Sequence, residues 1–344
     1  MIDIKEYGFE KNCQDSFLDF MKEIYSGYNY AETYINYIKK LINPANPSFN
    51  FIKIKNFIAY SDKKTVGHIS AIIDKRLVQE DNPVGIIGFY ECIDNSEISS
   101  LLINKAIEHL KKNGCRIVRA PIDLTIWHPY RFAVKQNEKD SFILEPLTKE
   151  YYIAQFEKAG FETKIEYGSA ERTDFNTIIP YTEKDYESTI HEGFQIRELT
   201  KENFRKGILS IYSMTNEIFG DSWSFVKLSE EEYMYIYQEY EGSLNNVIIQ
   251  IISDKSGKDV GFCSSILDPI NKLIVLKTIG VLPEYQNKRI GSALLYYQHR
   301  KAKEMGVSKE IYALIKLGNT VTKLPYPGAK IIRKYVGLEK QITQ

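Results

Sequence analysis

The chain has 344 residues, of which 43% are hydrophobic and 26% charged, enough apolar material for two ordinary cores rather than one. Its 45 Lys and Arg balance 45 Asp and Glu, so the formal net charge is zero. No global field points to nucleic acid, an anionic membrane or an acidic substrate; a small-molecule or peptide partner is the expectation.

Taken in order, residues 15–25 and 30–41 show helical spacing. The runs FIKIKNFIAY (51–60), VGHISAIID (66–74) and VGIIGFYECI (84–93) read as strands. SEISSLLINKAIEHLKKNG is a helix stopped at Gly114, RIVRAPI (116–122) another strand, and FEKAGFE (156–162) a helix end before Gly-Phe. The stretch 182–193 is polar without clear period and reads as a linker.

FQIRELT (194–200) then alternates like a strand, and 202–219 carries helical spacing through Phe204, Ile208, Ile211 and Ile218. Ser229 followed by Glu232 is a capping-box pattern. NVIIQIISD, DVGFCSSILD and KLIVLKTIGVL are strands, RIGSALLYYQHRKAKEMG is a helix closed by Gly306, and EIYALIKL and AKIIRKYVGLEK are extended.

The two halves repeat one order of elements. Val66-Gly67 matches Val260-Gly261, Leu101-Leu102 matches Leu294-Leu295, and Gly114 matches Gly306, at offsets of 192 to 194 residues. A near-constant offset marks an internal duplication. The expected fold class is mixed α/β, with two tandem lobes over 1–182 and 194–344, each a mostly antiparallel sheet flanked by helices.

The four cysteines, Cys13, Cys92, Cys115 and Cys263, lie far apart and form no C-x-x-C pair. They read as buried free thiols of a reducing compartment. The opening residues lack an apolar signal core, and no run approaches the roughly 20 apolar residues needed to span a bilayer. The expected location is the cytoplasm, with no membrane or nucleic-acid partner and the oligomeric state left open. The five histidines show no metal-ligand spacing, so no metal is expected.

The segment GVLPEYQNKRIGSALLYYQHRKAKEMG (280–306) carries the chemistry. A strand runs out at Val281, a loop passes Pro283, and a helix begins near Ile290. Loop amides at a helix N-terminus suit a pyrophosphate. Gly291 lets phosphate approach the backbone, Ser292 adds a hydroxyl, and Lys288 and Arg289 add positive charge.

This run resembles the acyl-CoA pyrophosphate motif Q/R-x-x-G-x-G/A of the GNAT acetyltransferase superfamily, with Gln286 at its first position and Gly291 at its last. Arg289 stands where the middle glycine is usual. Over most of the chain the sequence resembles a bacterial tandem-GNAT group. The resemblance implies acetyl-CoA or another acyl-CoA as co-substrate, held by Ile279, Val281, Gln286, Asn287, Lys288, Arg289, Ile290, Gly291, Ser292 and Asn319. It implies direct attack of an acceptor amine on the thioester, with a backbone N–H near 279–281, assigned to Val281, facing the oxyanion. Tyr326, seven residues past Asn319, matches the family's thiolate acid. Flanked by Pro325 and Pro327, it reads equally as a surface-loop tyrosine.

The strand KLIVLKTIGV holds no glutamate to act as base; Asp221 and Glu217 are the nearest substitutes, and they read equally as a turn residue and a solvated helix residue. Trp223, and Trp127 with His128, are candidate acceptor-side residues or core aromatics. In the N-terminal half the helix is reached through DNSE (94–97), with no glycine, no basic residue and two carboxylates. Those carboxylates oppose a phosphate, so that lobe is expected not to bind CoA. Two other functions stay open: a non-catalytic acyl-CoA sensor, and a peptidoglycan-type or tRNA-dependent aminoacyl transferase.

Overall fold

The computed structural model describes residues 2–136, 141–318 and 328–342. In chain order the first elements are β1 (Ile2–Tyr7), α1 (Lys11–Ile24), α2 (Ala31–Leu41), β2 (Ile52–Ser61), β3 (Lys64–Gln79) and β4 (Asn82–Cys92). They continue as α3 (Ser96–Lys112), β5 (Ile117–Ala120), β6 (Phe132–Ala133), α4 (Tyr152–Lys158), β7 (Glu162–Arg172) and α5 (Phe175–His191). The rest are β8 (Gln195–Glu198), α6 (Phe204–Phe219), α7 (Glu230–Tyr237), β9 (Val247–Ser253), β10 (Asp259–Asp268), β11 (Leu273–Val281), α8 (Ile290–Glu304), β12 (Glu310–Lys316) and β13 (Lys330–Gln341).

Two compact units result. Unit 1 comprises Met1–Glu166, Trp223–Val226 and Arg333–Gln344, and unit 2 comprises Tyr167–Ser222 and Lys227–Ile332. This differs from the division at 182 and 194 read from the sequence. Strand pairing is the reason. The end of β13 pairs antiparallel with β5 in unit 1, Leu338 opposite Ala120, and Tyr335 opposite Ala133 of β6. The end of β7 pairs with β12 in unit 2, Glu310 opposite Arg172. Each unit is thus closed by a strand from the other half of the sequence.

Unit 1 has strand order β1-β2-β3-β4-β5-β13. Only the β4–β5 pair within that order is parallel, as a connection through α3 requires. Helix α3 buries Ile98, Leu102, Ile103, Ala106 and Leu110, a repeat of three and four residues, against the sheet.

Unit 2 has the order β7-β12-β11-β10-β9-β8, again with one parallel pair, β11–β12. The expected linker at 182–193 is helical almost throughout, as the second half of α5. Phe175 and Ile178 at its start join Ile274 and Ala302 in a core, and Tyr186 packs on Tyr296 of α8 with ring centroids 4.6 Å apart. Polar residues on the other face hide this stripe from a periodicity count. The capping box at α7 forms as expected: the Glu232 N–H donates to the Ser229 hydroxyl, and the Ser229 N–H donates to the Glu232 carboxylate.

Candidate functional site

The site in unit 2 begins with a break in the sheet. Parallel pairing of β11 with β12 covers Ile274–Glu310, Val275–Ile311 and Leu276–Tyr312, and then stops. Strand β11 runs on to Val281, held on its other side by β10, with Val281 opposite Gly261. A register shift between Ser264 and Ser265 leaves Lys277 as the extra residue of a bulge. Bulges re-aim a strand and end its pairing. Residues 277–281, including Ile279 and Val281, therefore have no β12 partner, and both of those side chains are half-buried.

Beyond Val281 a single 3-10 turn at Pro283–Tyr285 leads to the loop. The Gln286 side-chain amide donates to the Val281 carbonyl at 3.2 Å and ties the loop to the strand end. Asn287 and Arg289 both adopt left-handed backbone, with φ of 61° and 62°. Such alternation makes a concave run of N–H groups that suits anions. It also explains why glycine is usual where Arg289 stands: the position demands positive φ, which a side chain resists.

Helix α8 opens with no side-chain cap. The N–H groups of its first turn, at Ile290, Gly291 and Ser292, have no carbonyl four residues back to reach. The Ser292 hydroxyl is buried and lacks a hydrogen-bond partner among the described residues. A Cβ added at Gly291 would meet only the Ile279 Cδ1, at 4.0 Å. Free donors, an orphaned hydroxyl and open space over a glycine together fit a pyrophosphate cradle.

The basic residues of the loop are arranged unequally. Arg289 donates to Glu192 at 2.6 Å and to Ser188 at 3.1 Å, both on or beside the end of α5, so its charge is partly spent within the protein. Lys288 and Asn287 are exposed, with the Lys288 ammonium 4.8 Å from the Tyr285 ring centroid.

Lys277 is the site residue that sequence reasoning passed over. Its Nζ lies 3.5 Å from the Tyr240 hydroxyl and 5.0 Å from the Tyr237 ring centroid, with no carboxylate paired to it among the described residues. The signal was present, since a lone lysine interrupts an otherwise apolar strand.

The other candidates are dispersed. Asp221 is exposed in the turn after α6. Asn319 and Tyr326 lie outside the described residues. Trp223 belongs to unit 1, where its ring sits 5.5 Å from the Arg119 guanidinium and would be 2.7 Å from a Cβ at Gly337. The Trp127 indole donates to the Val226 carbonyl at 3.1 Å, and His128 Nδ1 is 2.8 Å from the Tyr37 hydroxyl. All three aromatics have packing roles in unit 1.

The corresponding place in unit 1 is built differently. Cys92 lies opposite Gly67 as Val281 lies opposite Gly261. The helix that follows is capped by Asn95, whose side chain accepts from the N–H groups of Glu97 and Ile98 at 2.9 and 3.1 Å. The Tyr152 hydroxyl accepts from the Cys92 N–H at 3.3 Å. The donors that unit 2 leaves open are used here by the chain itself.

Residues 209–322 match the family model of the acetyltransferase (GNAT) family. This part of the chain, which holds the loop and the open strand edge described above, is similar to GNAT acetyltransferases. The fold of the chain is that of tandem GNAT proteins. A tandem GNAT protein from the clavulanic acid biosynthesis pathway superposes with TM-score 0.61 at 11% identity, covering 100% of this chain and 99% of the other. A probable N-acyltransferase from Enterococcus faecalis gives TM-score 0.61 at 12% identity, over 99% of this chain and 73% of that one. In sequence the chain is 20% identical over 290 residues to a bacterial ceramide synthase from Caulobacter vibrioides, covering 76% of each.

Proposed function

We propose that unit 2 transfers an acyl group, acetyl or another short chain, from acyl-CoA to the amine of a small-molecule or peptide acceptor. The observation that carries this reading is the opening of β11 from β12 beside an uncapped α8 with free space over Gly291. Acyl-CoA would supply an activated thioester. The loop from Gln286 to Ser292 would hold its pyrophosphate through backbone N–H groups and the Ser292 hydroxyl, with Lys288 adding charge.

The unpaired edge of β11 near Val281 would donate an N–H to the carbonyl oxygen as negative charge develops there. The acceptor nitrogen forms the amide bond as the carbon–sulfur bond breaks; the nitrogen loses a proton and the CoA thiolate gains one. Tyr326 is the proposed acid that gives its hydroxyl proton to the thiolate, and the proton lost from the amine restores it through water. With Lys277 on β11 where a base was sought, the amine arrives neutral or loses its proton through water. Trp223, Trp127 and His128 would then act on the acceptor only indirectly, through the packing of unit 1. Four buried free cysteines support a reducing compartment such as the cytoplasm, and among the described residues no helix is long and apolar enough to cross a membrane.

The test is thiol release from acetyl-CoA across a library of amines. Turnover that appears with an amine and disappears in Gly291→Glu supports the reading; acetyl-CoA binding with no amine-dependent thiol release from any member would favour a sensor instead. Tyr326→Phe should lower kcat by about 10²–10⁴-fold with CoA affinity unchanged. Full kcat in that variant removes Tyr326 from the chemistry.

A further inference from the structure

Lys277 is the first residue of β11 past its last parallel pair, Leu276 with Tyr312. It is the extra residue of the bulge, between Leu276 opposite Ser265 and Thr278 opposite Ser264. The two faces of the strand are fixed on either side of it. Ile274 packs with Ala302 of α8, whereas a Cβ at Gly280 would lie 2.9 Å from Ile218 of α6. Lys277 points to the α6 and α7 side, against Tyr237 at the end of α7 and Tyr240 in the 3-10 turn Gln238–Ser243. Ile279, which borders the cradle at Gly291, lies on the opposite face. A thioester reaching through the parted strands from that cradle meets, on the far side, the place where Lys277 stands.

The neighbours of this half-buried ammonium are aromatic rather than acidic. Its Nζ donates to the Tyr240 hydroxyl at 3.5 Å and lies 5.0 Å from the Tyr237 ring centroid and 5.4 Å from that of Tyr240. Two phenols can take two of its three donors, and neither brings a full negative charge. No carboxylate pairs with it among the described residues. Burial works against its charge, but the oxygens of Tyr237 and Tyr240 outweigh that and hold it above the ordinary lysine value. A charge drawn out of water in this way is expected to have a counter-charge.

We propose that Lys277 binds a carboxylate carried by the acyl acceptor, which makes the acceptor an amino acid or a similarly short amine bearing a carboxylate. The proposal rests on the acyl-transfer reading of the same site. One ammonium matches the single charge of a carboxylate. The Tyr240 hydroxyl accepts from Lys277 and so keeps its own proton for the carboxylate's second oxygen, giving two charge-assisted hydrogen bonds. Strand β11 rises about 3.3 Å per residue, which puts the N–H groups of Ile279 to Val281 roughly 7–13 Å farther along. A short carbon skeleton spans that interval, with its carboxylate at Lys277 and its amine at the thioester carbonyl.

Thiol release from acetyl-CoA by the full chain is followed with the standard amino acids, β-alanine and γ-aminobutyrate, each beside its own carboxamide. The amide keeps the amine and the skeleton and lacks the charge. At least one acid should exceed its amide tenfold or more in kcat/KM. Lys277→Met should raise KM for that acid tenfold or more and bring acid and amide within threefold of each other. If that variant fails to fold, Tyr240→Phe replaces it, with a narrowed gap expected and an undiminished gap counting against the site. Turnover of amides and acids alike overturns the proposal and leaves acyl transfer standing. Absence of thiol release with every amine defeats acyl transfer, and binding then decides: the N-acetyl forms of the same pairs are titrated with CoA present, following the thermal midpoint. An acid that raises the midpoint of the wild type, but not of Lys277→Met, while its amide raises neither, supports the carboxylate site. Equal shifts from acid and amide, no shift from any acid, or a preference for the acid that survives in folded Lys277→Met overturns it.

Discussion

The Cys92 N–H donates to the Tyr152 hydroxyl at 3.3 Å, and that hydroxyl in turn donates to Glu91 at 2.6 Å. Cys92 stands opposite Gly67 as Val281 stands opposite Gly261, so a side chain of α4 occupies in unit 1 the donor that unit 2 leaves exposed. Duplication gave both units the same parted strands. Only one kept them open.

One acyl-CoA should therefore bind per chain. Calorimetry with acetyl-CoA is expected to give a stoichiometry of one, abolished by Gly291→Glu. The substitution should fold normally, since a Cβ there meets nothing closer than 4.0 Å. A carboxylate in the first turn even suits the helix dipole, by about 0.3–1 kcal/mol. Loss of binding with an unchanged or raised thermal midpoint separates a ligand clash from misfolding; two binding events per chain would sink the assignment.

Arg289 offers a second test of the cradle. Its backbone is held at φ 62° and its side chain is turned to Glu192 and Ser188. Arg289→Gly relieves a left-handed residue, a gain of about 1 kcal/mol, and removes an exposed ion pair worth about 0–1 kcal/mol. The two nearly cancel, so stability should barely move. Acetyl-CoA affinity should change by less than about fivefold, the size of one such exposed pair. A tenfold or greater loss would show that the guanidinium leaves Glu192 for the phosphates.

The buried carboxyl groups of unit 1 predict the pH dependence of its stability. Burial raises Glu91 to about 8, against the lowering influence of Tyr152, Tyr25 and Lys149, with Asp123 raising it further. A carboxyl with a raised folded pKa binds more protons folded than unfolded. Its contribution is complete below the unfolded value near 4.5 and is lost as pH climbs toward about 8. His68, pushed down to about 4 by burial, acts oppositely and weakens the fold as pH falls below its ordinary value of 6.5. Comparing denaturant midpoints of the wild type and Glu91→Gln isolates the first effect. The glutamine variant should lose less stability between pH 5 and 8, and parallel curves would refute the assignment.

Much of the architecture was legible because it rests on local pattern. The strand-loop-helix around Gly291, the Ser229–Glu232 cap and the two parallel crossovers follow from period, turn residues and duplication. The exchange of closing strands was not. AKIIRKYVGLEK announces a strand by its alternation, but alternation does not name a partner, and β5 or β12 would accept it equally. The second half of α5 hid behind its charged outer face. Glu91 and Lys277 each stood out as a lone charge in an apolar strand, which is the one signal that could have marked both. The Tyr152 plug depends on a contact across 60 residues that no spacing rule supplies.

The exchanged strands make the last prediction, which concerns where the chain can be cut. A fragment beginning near Gly193 lacks all of β7 and α5. Unit 2 would lose the strand that pairs with β12 from Glu310 to Lys316, and the core contributions of Phe175 and Ile178. It would also expose a β13 whose partners, Ala120 and Ala133, are absent. An unpaired strand with an apolar face is an aggregation hazard. That fragment should be insoluble, or lack a cooperative melt and acetyl-CoA binding. A fragment spanning 167–332 restores the missing strand and helix and omits the unpaired one, so it should melt cooperatively if unit 2 is a folding unit. Cooperative melting of the shorter fragment with intact acetyl-CoA affinity would show that β12 does not need β7. Gly337→Ala tests the same closure in the full chain. Its Cβ would lie 2.7 Å from both Ile165 and Trp223, so overpacking should cost unit 1 about 1–3 kcal/mol while acetyl-CoA binding to unit 2 is retained.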